Sequence, residues 1–136
     1  MSAGTIEKPA ACRSILVVED DPNIREVLCE LLRSEGYPVV SAADGAEALE
    51  KLATIPRPTL VLLDLMMPRV DGWQVLKIMR EQDHLAPVPI IITSATADAR
   101  SGLHGANEII KKPYDVNSLL GLVAKYCGKA DDLTLS

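Results

Sequence analysis

Five short apolar runs alternate along the chain with segments whose apolar residues recur at helical spacing. The runs are Ser14–Val18 (SILVV), Tyr37–Ser41 (YPVVS), Pro58–Leu63 (PTLVLL), Val88–Thr93 (VPIIIT) and Asn107–Lys111 (NEIIK). The three inner runs, rich in Val, Ile and Leu, predict strands buried on both faces, and strands alternating with helices predict a parallel sheet covered on both sides. Pro38 cannot donate to a ladder and argues for an edge position for the second strand.

The helical segments carry their own punctuation. Ile24, Val27, Leu28, Leu31 and Leu32 recur at i, i+3, i+4, i+7 and i+8, which predicts one apolar stripe on a first helix. Asp21 suits its N-cap, Pro22 its first position and Gly36 its stop. Further helices are expected over about Ala46–Ala53, Trp73–Glu81 and Val116–Tyr126, the last with Val116, Leu119, Leu120, Val123 and Tyr126 inward. The segment Ala95–Gly105 has one large apolar residue, Leu103, and two glycines, so a helix between the fourth and fifth strands is expected to be short or absent. The domain is expected over 13–127, with residues 1–12 and 128–136 as flexible termini.

Composition narrows the picture. A chain of 136 residues suits one domain, and its core must be aliphatic, because aromatics make up 3% and Phe is absent. Fourteen Lys and Arg against nineteen Asp and Glu give a net charge of −5, which argues against direct nucleic-acid binding. Cys12, Cys29 and Cys127 lack metal-ligand spacing and suggest neither a zinc site nor a disulfide framework; a reducing compartment is expected. No apolar run approaches the roughly 18 residues of a membrane span, and the first eleven residues lack a signal peptide's hydrophobic region. A soluble, cytoplasmic protein without membrane contact is expected.

Ligands of open parallel sheets bind beyond the carboxyl ends of the strands. There the first run ends in Glu19-Asp20-Asp21, the third leads to Asp64, the fourth to Thr93-Ser94, and the fifth to Lys111-Lys112-Pro113. If the strand order is 2-1-3-4-5, these groups converge on one rim. Two unit charges about 4 Å apart repel by roughly 4 kcal/mol at an effective dielectric of about 20, so Glu19, Asp20 and Asp64 could cluster only with protonation or a cation. Hard carboxylate oxygens with room for water suit Mg2+. Asp21 is read as a helix cap instead, whereas no helix start follows Asp64 at once. Lys112-Pro113 has the option of a cis bond. An aspartate beside a cation, a hydroxyl and an ammonium is a set suited to phosphoryl transfer, with the carboxylate attacking and the positive charges neutralising phosphoryl oxygens.

The stretches ILVVEDDPNIR (15–25), LVLLDLMMPRVDGWQVL (60–76), PIIITSA (89–95) and IIKKPY (109–114), in this order and spacing, resemble the receiver domain of two-component response regulators. The resemblance implies a flavodoxin-like, doubly wound five-stranded sheet of order 2-1-3-4-5. It implies that Asp64 is the phosphoacceptor and that Glu19, Asp20, Asp64 and the backbone carbonyl of Met66 hold Mg2+. It further implies that Ser94 turns toward the phosphoryl group, that Lys112 binds a phosphoryl oxygen, and that the Lys112–Pro113 bond is cis. Gly72, after Asp71, would give the backbone freedom to enter the third helix.

The implied partners are a histidine kinase or phosphotransfer protein as donor and an unidentified downstream protein, with the chain a monomer or weak dimer. It would act as a stand-alone phosphoacceptor rather than a turnover enzyme. Two departures stand out: Ile109 occupies the position of the family's usual aromatic switch residue, and the stretch from Ser94 to Lys112 is about one helical turn short. They favour an alternative, a receiver-like interaction module that works without phosphorylation. An aspartyl phosphatase of the haloacid-dehalogenase type would carry its nucleophile on the first strand in an Asp-x-Asp pattern, and a dinucleotide site needs a glycine-rich turn there; neither is present. Trp73, the sole tryptophan, is expected to be exposed or half-packed and to report Mg2+ by fluorescence.

Overall fold

The computed structural model describes residues 12–65, 71–94 and 105–128. In chain order its elements are β1 (Ile15–Val18), α1 (Pro22–Ser34), β2 (Val39–Ala42), α2 (Gly45–Thr54), β3 (Leu60–Asp64), α3 (Gly72–Glu81), β4 (Ile90–Ser94), β5 (Glu108–Lys111) and α4 (Val116–Cys127). The strands form one sheet of order β2-β1-β3-β4-β5, and every neighbouring pair is parallel. This is the doubly wound sheet expected from the alternating runs. The segment 95–105 between β4 and β5, where a short or absent helix is expected, lies outside the described residues apart from Gly105. Most of the expected flexible termini, 1–11 and 129–136, do too.

Successive side chains of a strand point to opposite faces, so each central strand feeds two cores. On one face Leu16, Val18, Val61, Leu63, Ile90 and Ile92 meet Ala48 and Leu52 of α2 and Val75, Leu76 and Met79 of α3. On the other, Ile15, Val17, Leu60, Leu62 and Ile91 meet Leu28, Cys29 and Leu32 of α1 and Leu119, Val123 and Cys127 of α4. Every residue of β1, β3 and β4 is buried, while β2 and β5 are only partly covered. Continuous rather than alternating apolar runs follow directly. Tyr37 is the one aromatic buried among the described residues, and its hydroxyl donates to the Gly128 carbonyl at 2.6 Å.

Each of the four helices among the described residues starts behind an aspartate. Asp21 accepts from the amides of Asn23 and Ile24, Asp44 from Glu47, Asp71 from Gln74 within a full capping box, and Asp115 from Ser118. Each such cap is worth about 1 kcal/mol. Helix α1 stops where Gly36 takes φ 97°, a left-handed conformation that favours glycine.

The apolar stripes differ in detail from the periodicity. On α1 the buried set is Leu28, Cys29 and Leu32, whereas Ile24 and Val27 are exposed (38% and 64%). The Leu28–Leu32 row faces the sheet with Cys29 on one flank. That turns Val27, on the other flank, toward solvent, and Ile24 sits in a first turn reaching past the sheet's carboxyl edge. Val116, in the first turn of α4, is exposed at 46% for the same reason.

Arg80, near the end of α3, ties the amino-terminal ends of β4 and β5 together. Its guanidinium donates to the carbonyls of Ala86 (2.7 Å), Val88 (2.8 Å) and Gly105 (2.6 and 3.0 Å) and to Asn107 Oδ1 (3.1 Å). Asn107 Oδ1 also accepts from the Ile90 amide at 2.9 Å. Replacing Arg80 with Ala strands several half-buried acceptors at once. The Arg80→Ala chain should lose about 1.5–3 kcal/mol, the range for hydrogen bonds to a charged group, read as a lower urea midpoint. Arg80→Lys should recover only part of the loss, because an ammonium cannot reproduce the planar fork.

Candidate functional site

β1 and β3 are neighbours paired Val18↔Leu63, and the next residue on each carries a carboxylate, Glu19 and Asp64. Both are buried, at 2% and 3% exposure, while Asp20 is exposed. One carboxylate oxygen from each of Glu19, Asp20 and Asp64 lies within 4.8 Å of the others. Lys112, just past β5, reaches in so that Nζ lies 3.0 Å from Glu19 Oε1 and 3.4 Å from Asp64 Oδ1. Glu19 is further fixed by the Asp21 amide, which donates to Oε2 at 3.2 Å, and by Arg25, which donates to its backbone carbonyl at 2.8 Å.

Charge decides what this cluster fits. Three carboxylates and one ammonium leave a formal −3 + 1 = −2, which one divalent cation would cancel. Oxygen-only donors, two of them fixed by strand ends and one open to solvent, match a small hard cation that retains water. The acidic triad thus fits Mg2+ by charge and by donor type. Burial works against the Lys112 ammonium, but the hydrogen bond to Glu19 and the charges of Asp64 and Glu19 outweigh it, and the group is held above its ordinary value of 10.5.

Ser94 ends β4 fully buried, and its backbone carbonyl accepts from the Lys112 amide at 2.6 Å. β3 pairs Asp64 with Thr93, so Ser94 lies one residue beyond the row of Asp64. The Lys112–Pro113 bond is cis. Ile109 is not in this cluster: it is partly buried in β5, opposite Ile92, and packs against the core on the α2/α3 face. Met66, whose carbonyl is the further expected ligand, lies outside the described residues. Trp73 is half-buried against the same core as Ile109.

Two contributors were not evident from residue type. Tyr114 is half-buried next to the pocket, and burial together with the Glu19 charge pushes its phenol up. The sequence signal was its place directly behind Lys112-Pro113. Gly72 matters for space rather than for backbone freedom. A Cβ there would sit 2.6 Å from the Asp64 carbonyl oxygen and 2.8 Å from Leu65 Cα, and the Gly72 amide donates to the Leu65 carbonyl at 3.0 Å. The start of α3 thus rests on the backbone that carries Asp64.

A doubly wound parallel sheet with paired carboxylates on its first and third strands, and a lysine arriving from the fifth, defines a receiver-type acidic pocket. Residues 15–124 match the family model of the response regulator receiver domain, and the chain belongs to that family. It is therefore a phosphoacceptor-type signalling module rather than a turnover enzyme. The chain is 38% identical over 128 residues to the probable transcriptional regulator ycf27 of Cyanophora paradoxa, covering 91% of this chain and 52% of that protein. It is 35% identical over 119 residues to the DNA-binding response regulator MtrA of Mycolicibacterium smegmatis, covering 87% and 52%. The chain spans about half the length of these curated relatives.

Among solved structures it is similar to the response regulator TrrA of Thermotoga maritima in complex with Mg2+ and BeF (37% identity, TM-score 0.74, covering 83% of this chain and 97% of that one). It is also similar to the receiver domain of a Pseudomonas aeruginosa sensor histidine kinase with a magnesium ion coordinated in its active-site cleft (31%, TM-score 0.77, covering 85% and 98%). Among the described residues no helix is long and apolar enough to cross a membrane.

Two outcomes follow from this geometry. Gly72→Ala forces backbone against backbone and should cost about 1–3 kcal/mol, the range for overpacking, with a lower denaturation midpoint and weaker Mg2+ binding because the Asp64 backbone must shift. Lys112 has a pKa raised on folding, so its contribution to stability is complete below 10.5 and is lost as pH rises through the higher folded value. The difference in urea midpoint between the natural chain and Lys112→Met should stay constant from neutral pH to about that point and shrink above it.

Proposed function

We propose that the chain takes a phosphoryl group from a phosphohistidine of a histidine kinase or phosphotransfer protein onto Asp64, and that it signals to a downstream protein through the surface change that follows. The observation that carries this reading is the Asp64 carboxylate, buried at a strand end yet held beside an ammonium and two further carboxylates. An Asp64 oxygen attacks phosphorus in line, the P–N bond to the donor imidazole breaks, and an acyl phosphate remains on the side chain.

Lys112 moves from the carboxylates to an incoming phosphoryl oxygen and offsets its charge. Glu19, Asp20 and Asp64 would hold the Mg2+, with the Met66 carbonyl as the further ligand that the family resemblance implies. When bound, the cation supplies charge neutralisation at the phosphoryl oxygens. The two solved relatives that carry magnesium support this role for the acidic cluster. The acyl phosphate adds about −1.5 to −2 charge on the rim, and the Ser94 hydroxyl turns to it. The signal is read by a protein rather than by nucleic acid, with the chain as a monomer or weak dimer in the cytoplasm.

Ile109 favours a second reading, an interaction module whose face works without phosphorylation, because an aliphatic side chain in the core has no ring to rotate. Intact-mass measurement after incubation with acetyl phosphate separates the two. With Mg2+ present and binding verified by a change in Trp73 emission, the natural chain should gain one phosphoryl group. Asp64→Asn should stay folded and gain none, since the amide is nearly isosteric and relieves charge repulsion. A metal-bound natural chain that gains no mass would leave the interaction module as the surviving reading.

A further inference from the structure

Strand β2 forms one edge of the sheet, paired with β1 on its inner side alone. Its main-chain groups alternate between the two sides. The carbonyls of Pro38 and Ala42 accept from the amides of Ile15 and Glu19, so residues 38, 40 and 42 face β1, and Val39 and Ser41 turn their amides and carbonyls outward. A bare row of such groups is a template for another strand, and Val39 and Val40, only partly covered, would be buried by one.

Here the row is occupied from both faces of the sheet. From α1, Arg33 Nη2 donates to the Val39 carbonyl at 3.4 Å, and the Leu32 carbonyl accepts from the Tyr37 amide at 3.1 Å. From α2, Lys51 Nζ donates to the Ser41 carbonyl at 3.0 Å, and Glu47 Oε1 accepts from the Ala43 amide at 2.7 Å. Glu47 also keeps Lys51 in place, its other carboxylate oxygen 3.8 Å from Nζ. We infer that Arg33 and Lys51 guard the β2 edge and keep a second copy of this chain from pairing with it strand to strand.

The excluded pairing is specific. A copy related by a two-fold axis would run antiparallel and set Val39 opposite Ser41 of the second copy, twice over, each pair exchanging two main-chain bonds. Those bonds need the Val39 and Ser41 carbonyls, and both are taken by cations. What the edge presents is amides and two cationic side chains, and a second copy presents the same. Donors would meet donors, and Arg33 of one copy would lie beside Lys51 of the other. Both residues also stand in the last turn of their helices, where a cation suits the helix dipole. That role asks only for a nearby positive charge, whereas both side chains reach over to strand carbonyls.

The test compares self-association of the 136-residue chain and its Arg33→Ser/Lys51→Ser variant by sedimentation equilibrium, without Mg2+ or phosphodonor, so that the result is independent of the phosphoacceptor reading. Serine is too short to reach the carbonyls and adds no apolar surface. The variant should dimerise roughly tenfold or more tightly than the natural chain, as expected for freed main-chain bonds. Hydrogen exchange at the Val39 and Ser41 amides should slow as its concentration rises. Adding Val39→Pro removes an outward amide without touching a bond to β1 and should return the constant to that of the natural chain. If the double variant loses its native circular dichroism, Lys51→Ser alone carries the comparison, because it frees the acceptor for half of the bonds. An unchanged constant with only a lower unfolding midpoint would leave the helix-dipole role and overturn the inference. So would a dimer that survives Val39→Pro, or one that slows exchange at Glu108–Lys111 of β5 instead.

Discussion

Two carboxylates buried on adjacent strands and facing a single ammonium set the terms for the rest of the molecule. Glu19 and Asp64 can share Lys112 only because β1 and β3 are neighbours, and Lys112 reaches them only because β5 ends on the same rim. Strand order 2-1-3-4-5 is thus part of the site's chemistry as well as its scaffold. The same requirement explains Gly72, since a side chain there would displace the backbone that holds Asp64.

This constraint costs stability. Removing charges from water commonly outweighs their mutual attraction, so a buried ion pair is poor evidence of a stabilising device. Here the imbalance is larger still, with more acid than base in the cluster. The offset comes from elsewhere: three fully buried central strands, two aliphatic cores and four aspartate caps. Those caps lie where each helix leaves a strand's carboxyl end, so Asp21, Asp44, Asp71 and Asp115 make the same rim still more acidic. The partial positive charge of four helix N-termini faces them there. Part of the chain's net charge of −5 is therefore organised around one rim.

The strands were legible because parallel sheets bury both faces, which leaves an unbroken apolar run that few other structures need. The rim chemistry was legible because each functional side chain sits within a residue or two of such a run's end. Exposure on the helices was not legible: Ile24 and Val27 fit the helical period, yet period alone does not say how far a first turn overhangs the sheet. Space was hidden as well. Gly72 reads as a flexible residue in sequence, whereas its importance lies in a backbone contact with residues 64 and 65.

The two rims of the sheet do different work. At the carboxyl end the polar groups answer to one another's charge: Lys112 has two carboxylates to serve, and any ligand that takes one of them alters its balance. At the amino end the charged groups bind backbone carbonyls or pair one to one, as Lys125 does with Glu108 at 2.7 Å. The Arg13 amide donates to the Thr59 hydroxyl at 2.7 Å, Tyr37 reaches Gly128, and Arg80 gathers the carbonyls ahead of β4 and β5. Between them lie three strands with every side chain packed, too dense to absorb a shift by local give. A charge added at the first rim must therefore be accommodated by the segments that leave that rim, not by the sheet or the far end.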